Sequence, residues 1–349
     1  MKPIKASKQI SIGGVSVGGG APIAIQSMTT TRTKDVTATV AQIHALEAAG
    51  CEIIRVAVMD EHCAQAIGQI KEQITIPLVA DIHFDHKLAL LAIQHGADKI
   101  RLNPGNIGGA DNVRAVVVAC KEKGIPIRIG VNGGSLETDI VAQYGHTPAG
   151  MVASAMGHIQ LLNDQNFDDI CLSVKASNVQ DTVAAYRLLR EKTDYPLHLG
   201  VTEAGTVKMG TLKNAIAMGA LLLDGIGDTI RVSLTANPVE EVLAAKDILQ
   251  AIGVRKFGAE VIACPTCGRC QIDVITLAKE VEARLKQVKK PITVAVMGCA
   301  VNGPGEARAA DFGIAGGIGE GLLFAQGEVL RKVPMEGLAD ALMELVEEG

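Results

Sequence analysis

Four residues in the last third of the chain have the types and the spacing of a metal centre. Cys264 and Cys267 form a C-x2-C pair, Cys299 follows after 31 further residues, and Glu306 follows after six more. Three thiolates and a carboxylate can hold a zinc ion or an iron–sulfur cluster, because both kinds of site use C-x2-C spacing. Glycine-rich backbone around Cys299 and Glu306 suits close approach to a bulky cluster. The spacing favours iron–sulfur and leaves zinc open.

The composition argues against a nucleic-acid or membrane partner. The chain has 349 residues and a formal net charge of −5, with 2% aromatic residues and no Trp. A basic surface for phosphate backbones and aromatic platforms for bases are therefore not expected. No apolar run reaches the roughly 18 residues of a membrane helix, and the N-terminus lacks the apolar region of a signal peptide. These features predict a cytoplasmic protein with reduced thiols.

A repeating strand–helix pattern predicts the fold. Eight units of a short β-branched run and a longer helical pattern occupy about 250 residues, the size and count of a (β/α)8 barrel. The predicted strands are 23–28, 51–58, 77–84, 99–104, 126–132, 168–177, 196–203 and 228–235.

After the eighth unit the pattern changes. The sequence predicts a barrel domain over 1–255 and a small α+β domain that carries the cysteines over 256–349. Elements of the second domain are predicted at 259–263, 272–288, 292–298, 311–316, 321–333 and 336–347.

Polar and charged residues recur at the predicted carboxyl ends of the barrel strands, where barrel enzymes place their active sites. Five cations face only two carboxylates, and such an excess predicts a multiply anionic ligand, most naturally a diphosphate. Structural ion pairs at the rim are the alternative for individual arginines. The candidate residues are Arg55, Asp81, Arg101, Asn103, Arg128, Asn132, Lys175, Ser177, Glu203, Arg231 and Ser233.

Two of the mouth residues are candidates for acid–base chemistry. Glu203 faces arginines at the barrel mouth, which packing alone explains poorly, so it is the stronger candidate. His83 is the weaker one, because a single histidine in a strand is more often structural. His198 lies earlier in its strand and is expected to be structural.

Several long segments together resemble one known family, the bacterial 4-hydroxy-3-methylbut-2-enyl diphosphate synthases, over essentially the whole chain. The segments are CPTC at 264–267, MGCAVNGPGEAR at 297–308, IQSMTTT at 25–31, VADIHFD at 79–85 and RLNPGNIG at 101–108.

The resemblance implies a [4Fe-4S] enzyme of the non-mevalonate isoprenoid pathway. Its reaction would be the two-electron reductive dehydration of 2-C-methyl-D-erythritol 2,4-cyclodiphosphate, with electrons from flavodoxin or ferredoxin. The resemblance implies a head-to-tail homodimer in which the cluster domain of one subunit closes over the barrel of the other. It implies Cys264, Cys267, Cys299 and a labile Glu306 as cluster ligands, and places Glu203 near the reacting hydroxyl.

One position departs from the family pattern. Cys270 extends the cysteine pair to C-x2-C-x2-C, which is a ferredoxin-like ligand run. We interpret Cys270 as a bystander at the start of the following helix. A non-redox barrel enzyme on a phosphorylated or pterin-like substrate, with a structural zinc module, is the alternative function.

Overall fold

The computed structural model describes residues 6–299 and 307–348, and only the backbone of Pro104. Glu306 lies outside these ranges. The chain falls into two compact units that divide after Arg255. Each unit is described separately below.

The first unit begins with an antiparallel hairpin of β1 (Ile10–Ile12) and β2 (Val15–Val17). Eight parallel strands follow: β3 (Ala24–Met28), β4 (Ile53–Ala57), β5 (Leu78–Asp81), β6 (Lys99–Leu102), β7 (Ile127–Asn132), β8 (Ile170–Lys175), β9 (His198–Leu199) and β10 (Thr229–Ile230). The helices are α1 (Val36–Ala49), α2 (Glu61–Lys71), α3 (His86–Gln94), α4 (Ala110–Lys123), α5 (Thr138–Tyr144), α6 (Pro148–Asn163), α7 (Val179–Lys192), α8 (Val207–Leu223) and α9 (Pro238–Ala251).

The eight parallel strands form a barrel, which confirms the predicted fold. The ladder runs β8-β7-β6-β5-β4-β3-β10-β9. A parallel bridge between Leu172 of β8 and Leu197, just before β9, joins the two ends of this ladder. A closed sheet has no free edge, and its strands are buried on both faces, as their Ile- and Val-rich sequences require.

The last two barrel strands are shorter than the sequence predicts. The predictions 196–203 and 228–235 become His198–Leu199 and Thr229–Ile230. Beyond β10 the backbone amides find other partners, since Leu234 N donates to the carboxylate of Glu241 and Thr235 N donates to Gly205 O. At the barrel mouth, side-chain and loop acceptors therefore replace the hydrogen bonds between neighbouring strands.

The N-terminal hairpin was not predicted, and it packs against the barrel floor. Ile10, Ile12 and Val17 are buried against Ile53 and Val79, which lie toward the amino ends of their strands. The hairpin thus covers the end of the barrel opposite the polar residues.

Helix ends follow local sequence signals. Asp35 caps α1 by accepting from Ala38 N at 3.1 Å, and Asn178 caps α7 by accepting from Asp181 N at 2.7 Å. Gly50 ends α1 in the left-handed conformation, which glycine adopts without steric penalty.

In its described residues, the second unit has a five-stranded mixed sheet and two α-helices. Its elements are β11 (Glu260–Ala263), α10 (Val274–Leu285), β12 (Thr293–Met297), β13 (Phe312–Ala315), β14 (Glu320–Ala325), β15 (Glu328–Pro334) and α11 (Leu338–Glu348). The first three strands are parallel and the last three are antiparallel. Both helices pack through buried aliphatic residues on one face of the sheet.

The prediction of a single strand over 321–333 was wrong. The structure has a hairpin there, with Gln326 and Gly327 at the turn, both at positive φ. Two adjacent residues in this conformation form the tight turn that hairpin strands favour. Among the described residues, no helix has both the length and the apolar character needed to span a bilayer.

Candidate active site and metal centre

A buried carboxylate organises the cations on one side of the barrel mouth. Asp81 ends β5 and is paired in register with Arg101 of β6. Its carboxylate lies 3.1 Å from Arg101 Nη1, 3.8 Å from Arg55 Nε and 3.6 Å from His83 Nε2. Burial alone would raise the pKa of Asp81, but the charge of Arg55 and the other neighbours holds this pKa well below its usual range. Asp81 is therefore ionised and offsets part of the cationic charge.

Besides Lys99, which begins β6 and donates to Gln26 Oε1 at 3.4 Å, two further buried cations have no carboxylate partner among the described residues. Arg128 is 1% exposed and donates from Nη1 to Ser173 Oγ at 2.8 Å, while its Nε and Nη2 make no hydrogen bond within the described chain. Burial, and then Arg101, lower the pKa of Arg128 to about 10. Burial, and then Arg128, hold the pKa of Lys175 well below its usual value. Buried donors that repel one another in this way are suited to an anionic ligand.

Glycine makes room for the buried lysine. A Cβ on Gly200 would lie 2.4 Å from Lys175 Nζ and 2.9 Å from the carbonyl oxygen of Arg231. Any side chain at this position would therefore displace the ammonium group. Gly200 is part of the site through its missing side chain, and sequence reasoning did not single it out.

Four of the predicted residues line one open cavity of about 690 Å³ at the carboxyl ends of β7, β8 and β9. They are Asn132, Lys175, Ser177 and Glu203. Asn132 and Lys175 are register partners on adjacent strands, which explains why they meet. The remaining lining residues are Gly133, Gly134, Ser135, His146, Met151, Ala176, Asn178, Asp181 and Thr202. The cavity is large enough for a small phosphorylated substrate.

The backbone at Glu203 is unusual. Its φ is +53°, in the left-handed region that residues with a Cβ seldom adopt. The preceding residue, Thr202, donates from its backbone N to Ala176 O at 3.2 Å, which ties this loop to the end of β8. The side chain of Glu203 is exposed on the cavity wall. Strained backbone at a polar cavity is typical of functional sites.

Three polar residues near the mouth make local structural contacts. Asn103 accepts from Gly105 N at 3.1 Å and so caps its own turn. The carbonyl of Ser233 accepts from Asn214 Nδ2 at 3.4 Å. His198 is fully buried, with Nδ1 2.8 Å from Thr229 Oγ1, and burial lowers its pKa well below the usual value.

Sequence reasoning missed two carboxylates, of which Glu241 is buried and Glu137 is partly exposed. Glu241 lies on the buried side of α9, 3.5 Å from Arg231 Nη2, and burial raises its pKa. Glu137 lies 2.7 Å from Nε2 of the buried His158, so it ties the loop after β7 to α6. The sequence did offer a signal for Glu241, because this carboxylate lies among apolar residues at positions that face the inner side of the helix.

The predicted metal ligands emerge from one edge of the second unit. Cys264 directly follows β11, and Cys299 lies just beyond β12, whose carboxyl end is at the same edge because the two strands are parallel. Cys264 Sγ accepts from Gly298 N at 3.1 Å, a kind of bond that stabilises a thiolate. A Cβ on Gly298 would lie 2.4 Å from Cys270 Sγ and 3.5 Å from Cys264 Sγ, so sulfur atoms crowd this backbone.

The donor set suits a cluster held by an open loop. Cys264, Cys267 and Cys299 supply three thiol groups, the donors that iron–sulfur clusters use. Cys267 is exposed, whereas Cys299 is buried. Three thiolates at one glycine-lined edge therefore fit an iron–sulfur cluster.

Two family profiles match nearly the whole chain. The GcpE TIM-barrel domain matches residues 7–246, and the GcpE protein C-terminal domain matches residues 260–348. The chain belongs to the GcpE family. Its relatives include proteins named 4-hydroxy-3-methylbut-2-en-1-yl diphosphate synthase (flavodoxin). The one from Geobacter sulfurreducens is 57% identical over 98% of this chain and 97% of its own length, and the one from Ruminiclostridium cellulolyticum is 54% identical with the same coverage.

Solved structures of other proteins share the barrel of this GcpE-family chain. The dihydropteroate synthase from Stenotrophomonas maltophilia gives a TM-score of 0.52 at 14% identity, covering 70% of this chain and 97% of that chain. The enzyme from Yersinia pestis gives 0.51 at 11% identity, with 70% and 96% coverage. At these identities the likeness concerns the fold alone.

Proposed function

We propose that the chain is a 4-hydroxy-3-methylbut-2-enyl diphosphate synthase that reduces and opens 2-C-methyl-D-erythritol 2,4-cyclodiphosphate. The observation that carries this proposal is the near full-length identity of 54–57% to relatives of that name. The cationic barrel mouth and the cysteine edge supply the two chemical capacities that such a reaction needs. The cyclic substrate takes up two electrons and two protons, and water leaves as the linear diphosphate forms.

The barrel cations bind the diphosphate and stabilise its departure from carbon. Arg128 and Lys175 have buried charges without a carboxylate partner among the described residues, so they are the first candidates for phosphate oxygens. When the carbon–oxygen bond to phosphate breaks, negative charge develops on the leaving oxygen. Fixed cations in a water-poor site stabilise that charge more than water does. Arg55 and Arg101 contribute from positions that Asp81 holds in place.

The other polar residues of the mouth complete the proposed substrate site. Glu203 protonates the departing hydroxyl, because it is exposed on the cavity wall, whereas the other lining carboxylate, Asp181, accepts a hydrogen bond from Asn178 Nδ2. The remaining proposed substrate contacts are Asn103, Asn132, Ser177, Arg231 and Ser233. Asn103 would have to contact the substrate through its amide nitrogen, since its Oδ1 already accepts a hydrogen bond.

The second unit carries the residues that would hold the electron-transfer centre. Cys264, Cys267 and Cys299 would hold a [4Fe-4S] cluster, with Glu306 as its exchangeable fourth ligand. Such a cluster would supply one-electron transfers and a Lewis-acidic iron. Flavodoxin, which the names of the relatives include, is the proposed donor. The proposed location of the enzyme is the cytoplasm. The family membership weighs against the alternative of a non-redox barrel with a zinc module.

Anaerobic purification tests the cofactor and the reaction together. We expect a brown protein with about four irons and four sulfides per chain. Reduced flavodoxin should then convert the cyclic diphosphate into the linear product, observed by phosphorus NMR. A colourless protein that carries one zinc ion per chain would contradict the proposed function.

A head-to-tail homodimer is the proposed assembly, in which each active site combines the barrel of one subunit with the cysteines of the other. Mixing a barrel-defective Glu203→Gln subunit with a cluster-defective Cys264→Ser subunit tests this arrangement. Random exchange should restore about a quarter of wild-type turnover, because half the dimers are mixed and each holds one intact site. If the mixture stays inactive after verified exchange, the site is built within one subunit.

A further inference from the structure

Three loops leave the sheet of the second unit at the same edge. β11, β12 and β13 are parallel, so their carboxyl ends lie side by side. The first loop carries Cys264 and Cys267, the second carries Cys299, and the third is the glycine-rich segment 316–319 after β13. The cysteine edge therefore continues into a loop that contains no predicted ligand.

Direct contacts join the first and third loops. Gln271 N donates to Gly298 O at 2.9 Å, and Gly316 N donates to Met297 O at 2.8 Å. The Ile272 side chain packs directly against the backbone of Gly316. The segment after Cys267 is thus held between the β12 loop and the glycine loop, and the two outer loops form one surface.

This surface exposes an apolar side chain that the fold does not use. Ile318 is 87% exposed, the highest value among the large hydrophobic residues that the structure describes. Gly317 and Gly319 flank it, so it stands at the tip of its loop. Residues 265–269 of the cysteine loop are also exposed, and Arg269 forms no ion pair within the described chain. An exposed aliphatic tip beside a free cation is typical of a docking surface.

We propose that residues 265–269 and 316–319 together form the donor surface, on which reduced flavodoxin docks while the cysteine edge is not closed over the barrel of the other subunit. This inference rests on the proposed function, because it assumes that a flavodoxin delivers electrons to a centre at the three cysteines. A flavin exposes an apolar dimethylbenzene edge, which Ile318 and the glycine backbone can cover. Arg269 supplies the positive charge that attracts an acidic partner and orients it.

A cluster of three exposed lysines in this unit lies at the opposite edge of the sheet. Lys286, Lys289 and Lys290 follow α10, which connects two parallel strands and must run opposite to them. A helix of 12 residues spans about 18 Å. The lysines therefore lie at the edge opposite the cysteines, where a bound flavin would be too far away for fast electron transfer. Proximity to the thiolates selects the donor surface over this more basic patch.

The test compares Ile318→Asp with a matched control, Leu330→Asp, which introduces the same charge at an aliphatic residue that is 51% exposed on β15. Each holoenzyme is driven either by reduced flavodoxin at varied concentration or by dithionite with methyl viologen. Flavodoxin binding is also measured directly by biolayer interferometry. For Ile318→Asp we expect the flavodoxin KM and Kd to rise about tenfold, while iron content and chemically driven turnover stay unchanged.

A second variant tests the electrostatic contribution of Arg269 to flavodoxin binding. Arg269→Glu should weaken flavodoxin binding most at low salt, and the loss should shrink as ionic strength rises. Equal losses with flavodoxin and with the chemical reductant would overturn the docking proposal, as would an unchanged Kd in both variants. If the wild-type protein turns over the cyclic diphosphate with neither reductant, the proposed function fails. The binding measurement then still decides whether this surface recognises flavodoxin.

Discussion

Replacing Asp81 by Asn should destabilise the barrel and make its stability depend on a bound anion. Asp81 is 3% exposed and lies between Arg55 and Arg101. The variant keeps the shape of the side chain but leaves two buried guanidinium groups without their counter-charge. Removing one partner of a buried ion pair costs roughly 3–5 kcal/mol, and we expect about 3 because Asn still accepts a hydrogen bond. In a unit of this size that corresponds to a Tm lower by roughly 6–12 °C.

Inorganic diphosphate provides the diagnostic comparison. In the wild-type protein, Asp81 already offsets part of the positive charge of Arg55 and Arg101 before an anion binds. In Asp81→Asn the anion is the main counter-charge, so saturating diphosphate should raise the Tm of the variant more than that of the wild type. Differential scanning fluorimetry on the purified protein, at matched ionic strength, measures both shifts.

The pH dependence follows from the lowered pKa of Asp81. A carboxyl with a depressed pKa in the folded state stabilises the protein above the unfolded value of about 3.9 and loses this contribution as the pH falls below it. The difference in Tm between wild type and variant should therefore be constant from pH 6 to 8. Asp111→Asn is the control, because its ion pair with Arg114 is exposed and should shift the Tm little. Equal diphosphate shifts in Asp81→Asn and wild type would refute the reasoning.

Three further changes test single features of the two units. Glu203→Gln should lower kcat by about a hundredfold or more while KM stays within a few-fold, because it removes a proton donor and not a charge partner of the phosphates; a loss confined to KM would contradict this. If Cys270 is a bystander, as we interpret it, Cys270→Ser should keep about four irons per chain; a loss of one or more irons in the anaerobic assay would make Cys270 a ligand. Gly298→Ala should reduce iron content, because its Cβ would meet the sulfur of Cys270 at 2.4 Å; normal loading would show that this loop moves aside.

The barrel could be predicted because its signals are local and repeated. The strands before β9 are short runs rich in apolar residues, and six helices of the barrel unit have a side-chain cap at their N-terminus, as Asp35 and Asn178 illustrate. Such signals identify elements without knowledge of their neighbours. The last two strands were predicted too long because their amides are claimed by distant groups, such as the Glu241 carboxylate. The local sequence of a strand does not indicate which distant groups will accept hydrogen bonds from its amides.

The residues of the candidate site also fall into those that the sequence predicts and those that it does not. That Asn132, Lys175 and Glu203 share a cavity follows from barrel geometry, since carboxyl ends of strands meet at one mouth. The local turn made by Asn103 and the carboxylate of Glu241 depends on side-chain directions, which periodicity does not give. The role of Gly200 is a missing side chain, visible only once Lys175 is placed against it.

The arrangement of carboxylates indicates where substrate charge belongs. Asp81 forms ion pairs with Arg55 and Arg101, and Glu241 forms one with Arg231. The charge of these arginines is therefore already partly offset. Arg128 and Lys175 have no such partner among the described residues, and burial lowers the pKa of both. A protein that keeps uncompensated cations in its interior gives up stability in the free state and recovers it when an anion binds. We therefore expect Arg128 and Lys175 to be the principal contacts of the substrate phosphates, with the paired arginines around them.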